Sequence, residues 1–158
     1  MLYYLLREVM NLAVYPVAAL ERRRSNLAAQ LPEAAQKLLR EPNFAHLATL
    51  MPDGSPQVSA VWVDFDGKYI LVNSAEGRRK PKNIRRDPRV ALDVIGQQEP
   101  YNMVTVRGRV VEVTHEGADD HIDKMAKKYL GQDKYPFRAP GERRVIFKIE
   151  PEHVATMP

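Results

Sequence analysis

The chain of 158 residues is long enough to bury a core in one domain, and its composition, 44% hydrophobic and 28% charged, is typical of a globular protein. The net charge of +4 favours anionic ligands or nucleic acid. Because the chain has no cysteine, disulfides, thiolate metal sites and cysteine nucleophiles are excluded, and a reducing cytoplasm is the compartment that we expect.

The first 30 residues are predicted to be an N-terminal extension, separate from a domain at 31–158. Residues 1–20 are rich in apolar side chains, but Arg7, Glu8 and Pro16 interrupt them. The longest uncharged run, 9–20, is too short to span a bilayer as a helix, and basic residues follow it instead of preceding it as in a secretory signal. We expect an amphipathic helix or an added segment, no membrane span, and Met10 as an alternative start.

Six strands and three helices are predicted from residue 31 onward. A helix begins at 31–33 with Pro32 in its first turn and stops before Glu41; a short one begins at Pro81, and a third covers 119–130 and ends at Gly131. The period-two pattern predicts strands, separated by turns such as 52–56 and 64–67, at 45–50, 57–63, 68–73, 90–95, 101–113 and 144–149, with 150–154 as a continuation.

The connections between these strands decide the fold class. Most are tight turns, and helical crossovers do not separate successive strands, which excludes a parallel α/β sheet. Gly108 interrupts the longest strand pattern and predicts a bulge or bend there. We therefore predict a mainly β (α+β) fold: a small antiparallel barrel with flanking helices.

A dense cationic segment links the third and fourth predicted strands. Seven of the twelve residues from Arg78 to Arg89 are basic, which causes self-repulsion unless an anion lies nearby. Pro81 suits the first position of a helix, because its missing N–H would be unpaired there. Arg78, Arg79 and Lys80 would then surround a helix N-terminus, whose free N–H groups favour an anion. The segment predicts a phosphate site, with a solvated loop as the alternative.

Other candidate residues are polar or aromatic rather than catalytic. The four histidines lack metal-ligand spacing and no nucleophile elbow is present, so we assign no metal and no catalytic residue. The strand start at 56–59 could contact the edge of a flat ring, or Gln57 and Ser59 could simply face outward. Trp62 shares a face with Val58 and Ala60, which favours the core over stacking on a ligand. Such a protein suits a cofactor that carries its own reactivity.

The segment from Asn73 to Val90 resembles the signature of split β-barrel enzymes related to pyridoxamine 5′-phosphate oxidase, and most closely the branch that uses the deazaflavin coenzyme F420. Supporting matches lie at 46–50, 53–58, 62–67, 106–110, 128–131 and 135–137. The resemblance covers about residues 33 to 154. It implies a six-stranded antiparallel split β-barrel with Greek-key order, and a homodimer with cofactor sites at the subunit interface.

The resemblance also implies cofactor-binding residues. Those expected to hold the phosphate or acidic tail are Arg78, Lys80 and Asn83. Those expected to line or border the ring system and its linker are Pro56, Gln57, Val58, Ser59, Trp62, Val72, Asn73 and Ser74. Those expected to reach in from the partner chain are Tyr101, Asn102 and Met103. Pro81 departs from the pattern, because it removes a backbone donor that other members could use for the phosphate.

The implied activity is transfer of a hydride from reduced coenzyme F420 to a small unsaturated organic acceptor. Three alternatives stay open: an FMN-binding oxidase or reductase, a non-catalytic carrier of flavin, deazaflavin or haem, and a nucleic-acid binder. The last is disfavoured because the basic run lacks interleaved aromatic residues. Substrate specificity is expected in the loops at 97–101 and 132–140.

Overall fold

The computed structural model describes residues 29–157, so that most of the predicted N-terminal extension lies outside the described residues. The three helices are α1 (Glu33–Arg40), α2 (Arg79–Arg86) and α3 (Ala118–Leu130). The six strands are β1 (Phe44–Leu50), β2 (Pro56–Phe65), β3 (Ile70–Ala75), β4 (Arg89–Ile95), β5 (Met103–Thr114) and β6 (Arg144–Thr156).

The six strands form a closed antiparallel barrel in the order β1-β2-β3-β6-β5-β4. Two meanders, β1–β2–β3 and β4–β5–β6, close on one another through the β3–β6 and β1–β4 pairs. Apolar side chains from all six strands fill the interior, and α1 adds Leu38 and Leu39 to the same core. The predicted six-stranded antiparallel barrel with flanking helices is confirmed.

Strand β2 is longer than predicted, because Asp64 and Phe65 belong to it and not to the following turn. The turn begins at Asp66, whose side chain accepts hydrogen bonds from the N–H groups of Lys68 and Tyr69. Asp64 is buried, and the ammonium of Lys124 on α3 lies 2.6 Å from its carboxylate. An aspartate can occupy a buried strand position here because Lys124, which lies 60 residues further along the chain, pairs with its carboxylate.

Gly108 lies at a register shift in the β5–β6 pair, as its predicted bulge requires. A Cβ atom at this position would lie 2.2 Å from the carbonyl oxygen of Glu150. Only glycine therefore allows the two backbones to approach so closely. The predicted edge continuation at 150–154 is part of one strand, β6, which runs to Thr156.

Helix α2 begins two residues before the predicted start, so that Pro81 occupies its third position. A proline is still tolerated at this position, because the N–H groups of the whole first turn lack a partner within the helix. Arg78 precedes the helix in an extended conformation, with φ −70° and ψ 166°.

Candidate functional site

A cavity of about 190 Å³ lies between the outer face of β2, strand β3, the start of α2, helix α3 and the loop that precedes β6. Its walls combine basic and aromatic side chains. The basic ones are Arg78, Lys80 and Arg144, and the aromatic ones are Phe44, Trp62, Tyr135 and Phe137. This composition suits a ligand that carries both an anionic group and a flat ring.

Lys80 is the cation whose surroundings point most directly to an anion. Its ammonium donates a hydrogen bond to the neutral hydroxyl of Ser59, at 3.0 Å. Burial, and then the nearby charge of Arg78, lower the pKa of Lys80. Among the described residues no carboxylate lies within 4 Å of this ammonium, so that its charge is only partly compensated. An anion bound here would stabilise the charged form.

The two arginines of the cavity share one carboxylate. Arg78 donates to Glu142 at 3.0 Å and Arg144 donates to the other oxygen of Glu142 at 2.8 Å. Arg144 is buried and also donates from Nε to the side-chain oxygen of Asn73 at 2.8 Å. The guanidinium of Arg144 is therefore held rigidly, whereas that of Arg78 remains half exposed.

Ser74 lines the same cavity, and its hydroxyl is buried. Its Oγ atom has no hydrogen-bond partner within residues 29–157. A buried hydroxyl without a partner is costly, and a ligand that offers a donor or an acceptor would relieve that cost. The partly compensated ammonium of Lys80 is the feature of the cavity that fits an anionic ligand.

The aromatic wall is built around Trp62. Its ring stacks on Tyr129 of α3, with centroids 5.0 Å apart, and meets Tyr135 edge-on at 5.9 Å. Phe137 extends this wall to the mouth of the cavity, where it is 65% exposed. Asp123 of α3 positions the wall, because its carboxylate accepts the N–H of Tyr135 at 2.9 Å.

A buried charged cluster supports the wall from behind. Burial alone would raise the pKa of Asp64, but His121, Lys124 and a backbone N–H together hold it well below its usual range. Burial lowers the pKa of Lys128 to about 8. The ammonium of Lys128 donates to two backbone carbonyls, of Leu39 and Val63, at 2.7 Å each. The cluster ties α1 and α3 to β2, which carries Trp62.

Five predicted site residues line the cavity: Trp62, Asn73, Ser74, Arg78 and Lys80. Ser59 contacts it indirectly, through its hydrogen bond with Lys80.

Other predicted site residues lie apart from the cavity. Asn83 is buried and donates to the hydroxyl of Thr49 at 3.0 Å, and Gln57 accepts from that same hydroxyl at 3.3 Å. Val72 is fully buried in the barrel core. Pro56 and Val58 are exposed outside the cavity.

Tyr101, Asn102 and Met103 lie in and after the β4–β5 connection and do not line this cavity. Their implied role across a subunit interface stays a prediction. The neighbouring loop, Gly96–Glu99, borders a separate depression of about 400 Å³ beside α1. Of the two predicted specificity loops, only the one at 132–140 therefore contributes to the cavity, with Tyr135 and Phe137.

The two faces of β2 are the reverse of the expected arrangement. Val61 and Val63 are buried in the barrel, so Gln57 and Ser59, which share their parity, face the same inner side. The alternative in which these two polar residues simply face outward is therefore wrong. Trp62 lies on the outer face and borders the cavity instead of filling the core.

Arg144, Tyr135 and Phe137 are cavity residues that the sequence did not identify individually. A charged residue at the start of the apolar strand 144–149 was the available signal for Arg144. Within residues 29–157, no group of three His, Asp or Glu side chains is arranged to hold a metal ion. None of the helices described is long and apolar enough to cross a membrane.

Comparisons with known proteins place these features in context. A family model described as pyridoxamine 5′-phosphate oxidase matches residues 31–158. An F420H(2)-dependent biliverdin reductase of Mycobacterium tuberculosis (strain CDC 1551 / Oshkosh) is 28% identical over 130 residues, which cover 82% of this chain and 90% of the relative. A solved structure named F420 reductase is 33% identical, with a TM-score of 0.69, and the match covers 79% of this chain and 98% of that one.

Oxidases are also similar to this chain. A pyridoxine/pyridoxamine 5′-phosphate oxidase of Trichormus variabilis (strain ATCC 29413 / PCC 7937) is 34% identical over 107 residues, which cover 66% of this chain and 46% of the relative. The chain thus spans about half the length of that oxidase.

Proposed function

Because this chain belongs to the pyridoxamine 5′-phosphate oxidase family, we propose that it is an oxidoreductase that binds a flavin-type cofactor in the cavity beside Lys80 and Trp62. More specifically, we propose that the cofactor is coenzyme F420, that its reduced form supplies the hydride, and that the acceptor is a small unsaturated organic molecule. The active form would be a homodimer.

One observation carries the proposal: a partly buried ammonium, with no carboxylate partner among residues 29–157, shares a cavity with an aromatic wall. Lys80 would bind the phosphate of the cofactor, assisted by the more mobile charge of Arg78. Ser74 and Asn73 would offer polar contacts beside the ring, and Trp62 would border it. These residues bind and orient the ligand, and they contribute to the reaction through proximity.

The cofactor itself would supply the reactivity, because a reduced deazaflavin is a two-electron hydride donor. No side chain needs to act as a nucleophile, which agrees with the site described above. The rigid guanidinium of Arg144 and the loop residues Tyr135 and Phe137 would border the space left for the acceptor.

The similar proteins support F420 and FMN to different degrees. The biliverdin reductase named as F420H(2)-dependent matches almost from end to end, whereas the oxidases match over about half their length. This difference supports F420 as the first choice and FMN as the alternative.

The proposed homodimer is supported by exposed apolar side chains on the outer face of the barrel. Phe44 on β1 and Val58 on β2 are 47% and 58% exposed, and Phe44 also lines the cavity. A second copy that covers this face would bury both side chains and enclose the cavity further.

The proposal is tested by titrating the purified chain with oxidised coenzyme F420 and, separately, with FMN, and by measuring the dissociation constants from cofactor fluorescence. We expect tighter binding of F420. Lys80→Met keeps the length of the side chain and removes its charge, so it should weaken binding by about tenfold to a hundredfold, as expected for a hydrogen bond to a charged group.

Lys82→Met is the matched control, because Lys82 lies on the same helix but is exposed and does not line the cavity. It should bind the cofactor about as well as the wild type. Binding of neither cofactor would refute the proposed function, and tighter binding of FMN would replace F420 in it. Turnover is then measured with reduced F420 and a panel of enones, quinones and tetrapyrroles; tight binding without turnover would indicate a carrier instead.

A further inference from the structure

The side-chain amide of Asn73 links the cavity to the interior of the protein. Its oxygen accepts a hydrogen bond from Nε of Arg144 at 2.8 Å, and its nitrogen donates to the carbonyl oxygen of Ala118 at 2.8 Å. A guanidinium can only donate and a carbonyl can only accept. These two partners therefore determine the orientation of the amide: its oxygen faces Arg144 and its NH₂ group faces α3.

This orientation determines the proton position on His121. Nδ1 of His121 lies 3.2 Å from the side-chain nitrogen of Asn73, which is a donor, so that Nδ1 must be the acceptor and carry no proton. The ring proton of the neutral imidazole is then on Nε2. Nε2 is 3.7 Å from the carboxylate of Asp64, too long for a hydrogen bond but close enough for electrostatic attraction.

The other groups around His121 favour this tautomer. His121 is only 9% exposed, and its Nε2 has no hydrogen-bond partner within the described residues. Asp64 on β2 faces His121 and also contacts Lys124 and Lys128, which lie on the same helix as His121. Arg144 on β6 is linked to His121 through Asn73. A negative carboxylate at the Nε2 side favours the proton there.

We propose that His121 is a positioning residue, whose unprotonated Nδ1 holds Asn73 and, through Asn73, orients the guanidinium of Arg144 for the ligand in the cavity. Arg144 uses Nε for Asn73 and Nη1 for Glu142, whereas its Nη2 makes no hydrogen bond to the residues described. Nη2 is thus available to an acceptor on the ligand. This inference rests on the proposed function, because it concerns the same cavity.

Two substitutions separate positioning from simple packing of α3. His121→Asn places an amide oxygen close to the location of Nδ1, so it retains the acceptor for Asn73. His121→Leu fills similar space without an acceptor. A residue that only packs would be replaced better by leucine, whereas a positioning residue would be replaced better by asparagine.

The first test is the dissociation constant of whichever of F420 and FMN the wild-type chain binds more tightly. We expect His121→Leu to weaken binding on the order of tenfold, as is typical for coupled neighbours, and His121→Asn to stay within about threefold of the wild type. In a chain that already carries Arg144→Met, His121→Leu should raise the dissociation constant of the cofactor by less than about twofold. The inference would be overturned if His121→Leu bound the cofactor as tightly as the wild type, or if His121→Leu and His121→Asn lost affinity equally. It would also be overturned if His121→Leu weakened binding as much in the Arg144→Met chain as in the wild type.

The second test needs no variant with altered packing and no ligand. Long-range proton–nitrogen NMR spectra of the chain labelled with nitrogen-15 at its four histidines report the tautomer of each ring. The His121→Asn spectrum serves only to assign the signals. We expect an unprotonated Nδ1 and a protonated Nε2 for His121 at neutral pH, and the opposite tautomer or a doubly protonated ring would overturn the inference.

The two proposals fail in different ways. If the wild-type chain binds neither cofactor, the proposed function is refuted and the ligand role of His121 with it. If the wild type binds a cofactor and His121→Leu binds it equally well, only the role of His121 is refuted.

Discussion

The hydroxyl of Tyr129 bridges two strands at the point where they separate. It donates to the carbonyl oxygen of Asn43 at 2.6 Å and accepts from the N–H of Val63 at 3.0 Å. The β1–β2 pairing begins with Phe44 opposite Trp62, so the hydroxyl takes the place of the next rung of the ladder. Burial raises the pKa of Tyr129 to about 12, as expected for a hydroxyl enclosed in this way.

Tyr129→Phe would remove this bridge and keep the ring that stacks on Trp62. Two backbone groups would lose their partner, and each unsatisfied group costs about 1–3 kcal/mol when it stays dry. Because the site is only partly buried, water can compensate some of the loss, and we expect a decrease of about 2–3 kcal/mol in the free energy of unfolding. At about 4 °C per kcal/mol, the melting temperature should fall by about 8–12 °C.

Urea unfolding followed by tryptophan fluorescence measures this decrease, provided that the denaturant slope is unchanged. Tyr135→Phe is the matched control. It also removes a hydroxyl beside Trp62, but that hydroxyl makes no hydrogen bond to the residues described, so the change should stay within about 0.5 kcal/mol. The bridge would be refuted if Tyr129→Phe were as stable as this control.

Two further substitutions test the interior. Burial lowers the pKa of Lys128 to about 8 from 10.5. The unfolded chain therefore binds more protons between these pH values, and the free energy of unfolding should rise with pH in that window. Urea titrations at pH 8 and pH 10.5 measure this rise, and the Lys128→Met variant should not show it. A rise in the variant as large as that of the wild type would contradict the lowered pKa of Lys128. Gly108→Ala should destabilise the chain by about 3 kcal/mol, because its Cβ would meet the backbone oxygen of Glu150 at 2.2 Å; a loss below about 1 kcal/mol would contradict the bulge.

Much of the barrel was predictable because its signals are local. Period-two alternation, turn residues and the absence of helical crossovers predicted six antiparallel strands, and Gly108 marked the bulge. The error in the boundary of β2 has a cause that is not local. The turn after β2 was predicted too early because an aspartate at a buried strand position is unusual, and its compensating partner, Lys124, is distant in sequence.

The candidate site was only partly predictable. The charge density of the segment 78–89 pointed to Arg78, Arg79 and Lys80, of which Arg78 and Lys80 line the cavity. Charge density alone does not distinguish these two from basic neighbours that are paired elsewhere. Arg85 pairs with Glu76, and Arg89 pairs with Asp87. Both arginines remain exposed to solvent, and their carboxylate partners are residues that the charge density of the segment does not reveal.

The sequence by itself determined the fold class, the strands and the basic end of the cavity, because each depends on residues that are neighbours along the chain. It also determined that Trp62 shares a face with Ala60, since the side-chain period of a strand is two. It did not determine which face is inside.

Only the tertiary structure decided that question, because the inside of a barrel is set by how β3 and β6 close it. The same closure brings Arg144 next to Asn73, from 71 residues away, and α3 brings His121 to the same amide. Hydrogen bonds of this kind join groups that no local pattern relates, and they therefore exist only once the barrel has formed.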